Sequence, residues 1–403
     1  MPHGDRSNRK VDAAYQHNFP SVKIPFNKPG VMGHEFEYMA DAVSRNAIAG
    51  DGHYTRVASQ RLERETGAQK VLLTTSCTHA LEMSALLLEI EDGDEVIMPS
   101  FTFVSCANAF VLRGARPVFV DVRPDTLNLD ERLLQGAITA RTRAILVVHY
   151  AGVACAMDEI MAIAAAHNVP VIEDNAHGLF GTYKGRKLGS IGLFSTLSFH
   201  ETKNIICGEG GALLINDAAF NEAAEIIREK GTNRSRFFRG EIDKYTWVQP
   251  GSSYLPSDLL AAFLFAQLEC SDVIQSRRKT IWERYHRVLG EWAERNGVTR
   301  PTVPAACGQA YHLYYLLMPS LESRQQFIAQ LREREIFALF HYVPLHLADA
   351  AKAFGYRPGD LPVTESASER LVRLPLYNTM SDDEQTAVIE AVESISIAAG
   401  VET

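Results

Sequence analysis

Three short stretches of this 403-residue sequence contain residues that could act in one reaction. The first stretch is "SFHETKNII", in which Lys203 lies close to Phe199 and two isoleucines. An amine in apolar surroundings is partly desolvated, which lowers its pKa and favours the neutral, nucleophilic form. Such a lysine could bond a carbonyl carbon covalently. A surface lysine with its stem along the protein is the alternative.

The second stretch is "VIEDNAH", in which Asp174 ends a run typical of a buried strand. A carboxylate in such a place stays charged only if a specific group pairs with it. Asp174 could hold a heteroaromatic nitrogen in its protonated form, as a pyridinium cofactor requires. A helix cap or a loop salt bridge is about as frequent a role for one such aspartate.

The third stretch is "TTSCTHALEM", in which a strand leads through small polar residues directly into a helix. Free backbone N–H groups and the helix dipole at such a junction attract phosphate. Simple helix capping explains any one such site equally well. Together, and in this chain order, an anion site, a partner for a ring nitrogen and a nucleophilic lysine indicate a site for pyridoxal phosphate. The sequence has neither GxGxxG nor GxxxxGK[ST], which disfavours a dinucleotide or P-loop site.

The composition is that of a folded protein with a small-molecule ligand. Of the residues, 46% are hydrophobic and 22% are charged, and the net charge of -9 with no long basic run disfavours a nucleic-acid binder. The six cysteines lack CxxC spacing, so neither a disulfide framework nor a metal site is expected. No stretch has the length and apolarity of a signal or membrane span, and we therefore expect a cytoplasmic protein.

The elements that must position these residues alternate along the chain. From about residue 70, short β-branched runs alternate with helical patterns, which predicts an α/β fold with a mostly parallel sheet between helices. The polar ends of its strands are the expected ligand site. We expect an N-terminal extension (1–22), a large domain (23–256), and a long bridging helix with a small α+β domain (257–403).

Longer motifs resemble one family over nearly the whole chain after about Lys23. They include "KVLLTTSCTHALEM", "DEVIMPSFTFVSCANAFVLRGARPVFVDVRPDT", "SFHETKN", "GSSYLPSDL" and "FHYVPLH". They are similar to the sugar-nucleotide aminotransferases of the DegT/DnrJ/EryC1/StrS family, and most of all to members that form dTDP-4-amino-4,6-dideoxygalactose. The resemblance implies a fold-type I aminotransferase with a three-layer large domain. It also implies pyridoxal phosphate as cofactor, with pyridoxamine phosphate (PMP) as the alternate form.

The resemblance implies specific roles for residues of the cofactor site. Lys203 would bond the cofactor covalently and Asp174 would pair with its ring nitrogen. Phe103, which unaided would be assigned to the core, would stack on the ring. The phosphate would be held by three residues, Cys77, Thr78 and Ser198.

The resemblance also implies a homodimer with shared active sites. Ser253 matches a position where many relatives have an asparagine that reaches the phosphate of the neighbouring subunit. Because serine is shorter, this contact is a weaker expectation than the others.

The implied reaction has two half-reactions with ping-pong kinetics. The protein would take the amino group of L-glutamate, release 2-oxoglutarate, and transfer the group to dTDP-4-keto-6-deoxyglucose for cell-surface polysaccharide synthesis. Guanidinium groups suit the diphosphate of such a substrate. The candidates are Arg234, Arg236 and Arg239, with His341 near the sugar; a solvated basic loop and a structural histidine are the alternatives.

The chain departs from the family pattern at two positions. His177, in "EDNAHG", stands where relatives commonly have glutamine near the cofactor ring, so a pH-dependent charge is expected there. Cys207, in "CGEGG", stands where glycine is usual. Neither change removes a group that the reaction requires.

Other readings remain. The substrate could be another 3- or 4-keto nucleotide sugar. Some relatives are sugar dehydratases, in which histidine replaces the lysine; Lys203 disfavours that activity. An intact lysine and aspartate together disfavour a sensor that binds the cofactor without turnover. A plain α/β nucleotide-binding module would show no absorbance from bound pyridoxal phosphate.

Overall fold

A computed structural model describes residues 23–397, so the expected N-terminal extension, residues 1–22, lies outside the described residues. The helices are α1 (Glu35–Ser44), α2 (His53–Thr66), α3 (Cys77–Leu87), α4 (Ser105–Val111), α5 (Glu131–Ala137), α6 (Met157–Ala166), α7 (Asn221–Arg228), α8 (Arg234–Phe238), α9 (Asp258–Glu269), α10 (Ser271–Val288), α11 (Gly290–Arg295), α12 (Leu321–Glu333), α13 (Pro362–Arg370) and α14 (Asp382–Glu393). The strands are β1 (Lys70–Thr74), β2 (Glu95–Pro99), β3 (Arg116–Val120), β4 (Thr142–Val148), β5 (Val171–Asp174), β6 (Thr182–Tyr183), β7 (Arg186–Lys187), β8 (Phe194–Ser198), β9 (Gly211–Ile215), β10 (Cys307–Gly308), β11 (Tyr314–Leu317) and β12 (Leu371–Leu374). Short 3-10 helices are Tyr150–Gly152, Ala218–Phe220, Leu345–Leu347 and Asp349–Phe354.

The central sheet has seven strands in the order β1-β9-β8-β5-β4-β2-β3. Strands β8, β5, β4, β2 and β3 are parallel, and only β9 is antiparallel to its neighbours. The inner strands are buried along their length, as expected for a sheet covered on both faces. One core cluster fills one face of the sheet, and another packs between the sheet and α9.

Adjacent carboxylates at the end of β5 face opposite sides, because side chains alternate along a strand. Glu173 points away from the site and is fully buried. Its carboxylate forms a hydrogen bond with His149 Nε2 (2.9 Å) and accepts three from backbone N–H groups of the loop after β7. These contacts fix the orientation of β5 and therefore the direction of Asp174.

The continuous helical pattern that begins near Ser257 is divided into α9, α10 and α11. The axes of α9 and α10 differ by 63°. Leu264 of α9 packs in the cluster against the central sheet, and so does Ile274 near the start of α10, whereas Ile281 further along α10 packs in a second core with β11, β12 and α14. The prediction of one long helix was wrong because the chain bends where it passes from one core to the other.

The second core defines a smaller unit of the fold. Its buried members come mainly from α10, α12, α14, β11 and β12, and Ile24 packs with them. Ile24 also forms an isolated bridge with Ile336. The predicted domain boundaries stay a prediction, with the observation that Ile24, placed in the larger domain, packs in the smaller unit.

No single helix in residues 23–397 has the length and apolarity to cross a membrane; by these criteria alone the bent pair of α9 and α10 passes together.

Candidate active site

The ends of several strands meet at one edge of the central sheet. The register pairs Thr74, the last residue of β1, and Ser198, the last residue of β8, with Gly211, the first residue of β9. Asp174 ends β5 beside β8. Because these ends share one edge, the sheet brings together three stretches that lie far apart in the sequence.

Lys203 lies in the loop between β8 and β9, where its backbone N–H donates to His200 O (2.9 Å). Its Nζ forms no hydrogen bond or ion pair with any residue of 23–397. Burial lowers the pKa of this amine, and the negative charge of Asp174 acts in the opposite direction. The amine is therefore partly desolvated, and its covalent role stays a prediction.

Asp174 is buried and has two hydrogen-bond donors. Oδ1 accepts from Ala176 N (3.0 Å) and Oδ2 from the thiol of Cys106 (2.9 Å). The Cys106 thiol also contacts Thr102 Oγ1 at 3.0 Å. A thiol is a weak donor, so Oδ2 has capacity for a stronger one such as a pyridinium N–H.

The N-terminus of α3 lies against the start of β9. Ser76 caps the helix by accepting from His79 N (3.1 Å), and α3 begins at Cys77. A Cβ on Gly211 would lie 2.3 Å from Ser76 C and 2.4 Å from Cys77 N. Only glycine allows this approach, which places the first N–H groups of α3 near Ser198.

Thr78, also expected at the phosphate, lies in the first turn of α3. Its hydroxyl is 2.7 Å from Ser105 Oγ at the start of α4. The pair joins two helix starts at the same edge, so Thr78 can offer its backbone N–H while its side chain bonds within the protein.

Three histidines stack beside the lysine. The rings of His177 and His312 are stacked at 4.2 Å, and those of His177 and His341 lie 6.0 Å apart. His312 Nδ1 is 2.9 Å from Asn204 Oδ1, and His341 Nδ1 is 3.1 Å from Tyr150 Oη. His177 Nδ1 is buried without a partner in residues 23–397.

Burial lowers the pKa of each of these histidines well below the ordinary value of 6.5, and nearby positive charges lower it further. His177 is therefore neutral at physiological pH. The pH-dependent charge expected from its residue type is displaced to lower pH by desolvation.

Phe103, unlike a core residue, is 57% exposed. Phe103 lies in the loop that follows β2, at the site edge of the sheet. Its ring lies 6.5 Å from the ring of Tyr342. An exposed aromatic ring at this edge is available to a planar ligand. Cys207, the second departure from the family pattern, is buried, which raises the pKa of its thiol to about 12.

Ser253 is exposed and forms an isolated bridge with Glu229. The next residue, Tyr254, accepts a hydrogen bond from Thr75 N (2.9 Å), two residues before the start of α3. The segment thus lies beside the predicted phosphate site of its own chain. Its expected contact with a neighbouring subunit stays a prediction.

The three arginines predicted for the substrate diphosphate are paired with carboxylates. Arg234 pairs with Glu229 (3.2 Å), and Arg236 pairs with Glu222 and Glu241. Arg239 pairs with Glu225 (2.8 Å) and Glu241 (2.6 Å). A diphosphate would have to compete with these glutamates, and the role of the arginines stays a prediction.

Sequence reasoning did not identify several residues that the fold brings to the site. Tyr150 follows β4 at the edge where ligands bind, a position that alone could have indicated it. Cys106, Asn204, His312 and Tyr342 gave no such signal, because their places depend on contacts between distant segments.

The groups that meet at this edge of the sheet fit pyridoxal phosphate. A reactive amine, a carboxylate with a weak donor, a free imidazole nitrogen and an exposed aromatic ring match an aldehyde, a ring nitrogen, a phenolic oxygen and a ring face. The open N-terminus of α3 matches a phosphate. Within residues 23–397, no group of three or more His, Cys, Asp or Glu side chains could hold a metal ion.

Known proteins resemble this chain over most of its length. An uncharacterized protein of Methanocaldococcus jannaschii is 38% identical over 379 residues, which cover 92% of this chain and 97% of the relative. The spore coat polysaccharide biosynthesis protein SpsC of Bacillus subtilis is 36% identical over 348 residues, covering 83% and 89%.

A solved structure also resembles this chain over most of its length. The putative sugar aminotransferase Spr1654 of Streptococcus pneumoniae, in its PMP-form, matches with a TM-score of 0.85 at 29% identity, over 92% of this chain and 98% of that one. Its PLP-form matches with a TM-score of 0.84. The predicted fold-type I architecture and the pyridoxal phosphate cofactor are confirmed.

The predicted family is confirmed, because the model of the DegT/DnrJ/EryC1/StrS aminotransferase family matches residues 31–393. The chain belongs to that family and is a pyridoxal-phosphate-dependent aminotransferase.

Proposed function

We propose that the protein transfers the amino group of L-glutamate to dTDP-4-keto-6-deoxyglucose, giving dTDP-4-amino-4,6-dideoxygalactose and 2-oxoglutarate. The observation that carries the proposal is the amine of Lys203, which has no partner within residues 23–397, beside the buried carboxylate of Asp174. The description of Spr1654 as a putative sugar aminotransferase supports a sugar as acceptor. The polysaccharide role of SpsC supports a product used in cell-surface polysaccharide.

Each residue of the site has a defined task in this reaction. When bound, pyridoxal phosphate supplies an electron sink for the carbanion at the amino-acid Cα. Asp174 would keep a proton on the ring nitrogen, and the first N–H groups of α3 together with Ser198 would bind the phosphate. The neutral amine of Lys203 would take the proton from Cα of the amino acid and deliver it to C4′ of the cofactor. The two substrates use the site in turn, so the kinetics are ping-pong.

The sugar half of the site is proposed to lie around His341. The imidazole is neutral and contacts Tyr150, so it can donate or accept a hydrogen bond from a sugar hydroxyl without adding charge. Arg234, Arg236 and Arg239 are proposed to exchange glutamate partners for the diphosphate. Another 3- or 4-keto nucleotide sugar is the alternative substrate. The presence of Lys203 disfavours a dehydratase, and Lys203 together with Asp174 disfavours a sensor.

We also propose that two copies form a dimer with shared active sites, in which Ser253 reaches the partner's phosphate site. Several large apolar side chains of the described residues are exposed. They are Phe36 (66%), Leu112 (71%), Phe238 (69%) and Trp247 (73%). Exposed apolar surface of this kind is typical of an interface. Mixing Lys203→Ala protein with Ser253→Asp protein should restore activity if the sites are shared, and no recovery would contradict sharing.

The central experiment is spectroscopic. Purified protein should be yellow and lose its visible absorbance on addition of L-glutamate, whereas Lys203→Ala protein should lack both the covalent band and the response. Lys184→Ala, which removes an exposed lysine paired with Asp158, is the matched control and should behave as wild type. An unchanged spectrum in Lys203→Ala protein would overturn the assignment.

The acceptor is tested with a panel of 3-keto and 4-keto sugar nucleotides, followed by product NMR. The proposal expects amination at C4 of the dTDP-linked 6-deoxy sugar with the axial amine of the galactose configuration. Amination at C3, or of a different nucleotide sugar with a higher kcat/KM, would replace the proposed substrate and leave the aminotransferase activity intact.

A further inference from the structure

Asn204 follows Lys203 directly and joins the loop between β8 and β9 to the segment before β11. The residue is buried, with 6% of its surface exposed. Its Nδ2 donates to Ala310 O (2.7 Å) and to Gln275 Oε1 (2.9 Å), and its Oδ1 lies 2.9 Å from His312 Nδ1. The loop that carries the reactive amine is therefore held against the segment that leads into the smaller unit.

The orientation of both amides in this network follows from one carbonyl. Ala310 O can only accept, and it accepts from Asn204 Nδ2 and from Gln275 Nε2 (3.2 Å). With its nitrogen turned to that carbonyl, Gln275 presents its oxygen to Asn204 Nδ2. Asn204 therefore presents its own oxygen, an acceptor without a proton, to His312 Nδ1.

This acceptor fixes the place of the proton on the His312 ring. Nδ1 must carry the proton, since the Asn204 oxygen has none to donate. His312 is buried, and burial together with the neighbouring positive charges of Lys203 and Arg278 lowers its pKa well below 6.5. A neutral ring carries one N–H only, so Nε2 is bare and can only accept a hydrogen bond.

The bare nitrogen is also open to a ligand. His312 Nε2 forms no hydrogen bond within residues 23–397, and unlike His177 Nδ1 it is not an enclosed atom. The ring stacks on that of His177 at 4.2 Å, and Lys203 lies within electrostatic range. The backbone is held as well, because Arg278 donates to the carbonyls of Tyr311 (3.1 Å) and His312. The fold therefore gives an uncharged acceptor a fixed place beside the histidine stack.

We propose that Asn204 is a positioning residue that holds His312 as the Nδ1–H tautomer, and that the bare Nε2 accepts a hydrogen bond from a hydroxyl of the sugar substrate. A hydroxyl suits this nitrogen because it donates a proton without bringing a charge, whereas a carbonyl or carboxylate oxygen has no proton to donate. The contact with the sugar rests on the proposed function. The tautomer does not, since it follows from contacts within the chain.

The tautomer is tested by nitrogen NMR of cofactor-free protein with isotope-labelled histidine. The signals that disappear in His312→Phe protein belong to His312, and in wild type they should show a protonated Nδ1 and a bare Nε2. Asn204→Ala removes the acceptor, so the proton should move at least in part to Nε2. Asn216→Ala is the matched control and should leave these signals unchanged. Asn216 also donates to two backbone carbonyls, Gly189 O (3.0 Å) and Gly192 O (2.8 Å), at the other end of β9.

The contact with the sugar is tested in aminated protein, in which the return of visible absorbance on mixing with keto sugar gives the dissociation constant of the sugar. His312→Phe keeps a ring in the stack but has no acceptor, so it should raise this constant for dTDP-4-keto-6-deoxyglucose by about 5-fold to 30-fold. His286→Phe is the matched control, because His286 stacks on Trp282 of the second core at 4.8 Å. It should bind the sugar as wild type does.

Two analogues of the sugar, one without the C2 hydroxyl and one without the C3 hydroxyl, identify the donor. One of them should bind wild type more weakly by the same factor as the His312→Phe substitution causes. With His312→Phe protein, that analogue should bind no more weakly than the parent sugar, because the contact is already absent.

The possible results bear on the two parts separately. A proton on Nε2 in wild type, or the same tautomer in Asn204→Ala and wild type, overturns the role of Asn204. An unchanged sugar constant in His312→Phe, or a further loss with both analogues in that variant, overturns the contact with the hydroxyl. If wild type reacts with no keto sugar, the proposed function fails and the nitrogen spectra still decide the tautomer. Should Asn204→Ala fail to fold, the proton position in wild type decides it.

Discussion

At the scale of single residues, the site is built from groups whose usual charges are suppressed or left free. Lys203 has a lowered pKa, three histidines are neutral, and Asp174 is held by a thiol and a backbone N–H. Neither of these two donors carries a charge, so no ion pair within residues 23–397 occupies the carboxylate. The reactivity of the site follows from desolvation together with the absence of competing ion pairs in residues 23–397.

The thiol of Cys106 gives a prediction at this scale. In cofactor-free protein, Cys106→Ala should lower the free energy of unfolding by about 1–3 kcal/mol, because a buried carboxylate oxygen loses its donor. Cys106→Ser keeps a donor and should lose less. Urea denaturation measures both. Cys155→Ala, which removes a thiol that donates to the neutral Val148 O (3.2 Å), is the control, and equal losses at the two cysteines would contradict the prediction.

At the scale of elements, the site depends on one reversed strand. Strand β9 runs against β1 and β8, so its first residue lies at the edge where its neighbours end. Gly211 at that position touches the start of α3. The reversal thus converts a helix N-terminus, which alone would be an ordinary cap, into part of a site that also contains Ser198 and Lys203.

Gly211→Ala tests this arrangement. The added Cβ would overlap backbone atoms of Ser76 and Cys77, so α3 or β9 must shift. We expect a loss of about 1–3 kcal/mol in the free energy of unfolding and at least about tenfold weaker cofactor binding, since the phosphate donors move. Fluorescence titration of cofactor-free protein measures the affinity.

Gly136→Ala is the control for this substitution. Gly136 lies within α5, and a Cβ there would meet nothing within 4 Å. Alanine favours a helix over glycine by about 0.5–1 kcal/mol, so this variant should be slightly more stable and bind cofactor as wild type does. Equal cofactor affinity in the two variants would contradict the proposed role of the β9 start.

The elements also show how far the sequence could lead. Alternation of apolar runs correctly predicted the parallel strands that end at Val148, Asp174 and Ser198. It could not predict the break between α9 and α10, because periodicity reports a helical face and not which core that face meets. The arginines near α8 were chosen for their charge, but their pairing with glutamates depends on folding.

At the scale of the whole molecule, burial of three histidines links the site to the stability of the fold. Each has a folded-state pKa well below the ordinary 6.5. The unfolded chain therefore binds more protons below about pH 6.5, and the folded state loses stability as the pH falls. Above that pH the stability that depends on these neutral rings is fully present.

The pH dependence can be measured in cofactor-free protein. Between about pH 6.5 and the folded-state pKa values, each histidine contributes a slope of up to about 1.4 kcal/mol per pH unit. His312→Gln should reduce the pH slope of the free energy of unfolding by up to the contribution of one histidine, about 1.4 kcal/mol per pH unit. Urea denaturation from about pH 7 to about pH 5.5 measures the slope. Identical slopes in wild type and variant would contradict the prediction.

The two neighbouring carboxylates at the end of β5 have separate roles, one in the fold and one in the proposed site. Glu173 fastens the strand to His149 and to the loop after β7, and Asp174 on the opposite face is proposed to meet the ligand. Selection can therefore act on the two positions separately. A descendant that replaces Asp174 would lose the proposed chemistry but keep the fold, which could then acquire another activity. A descendant that replaces Glu173 would lose the contacts that hold β5 in place.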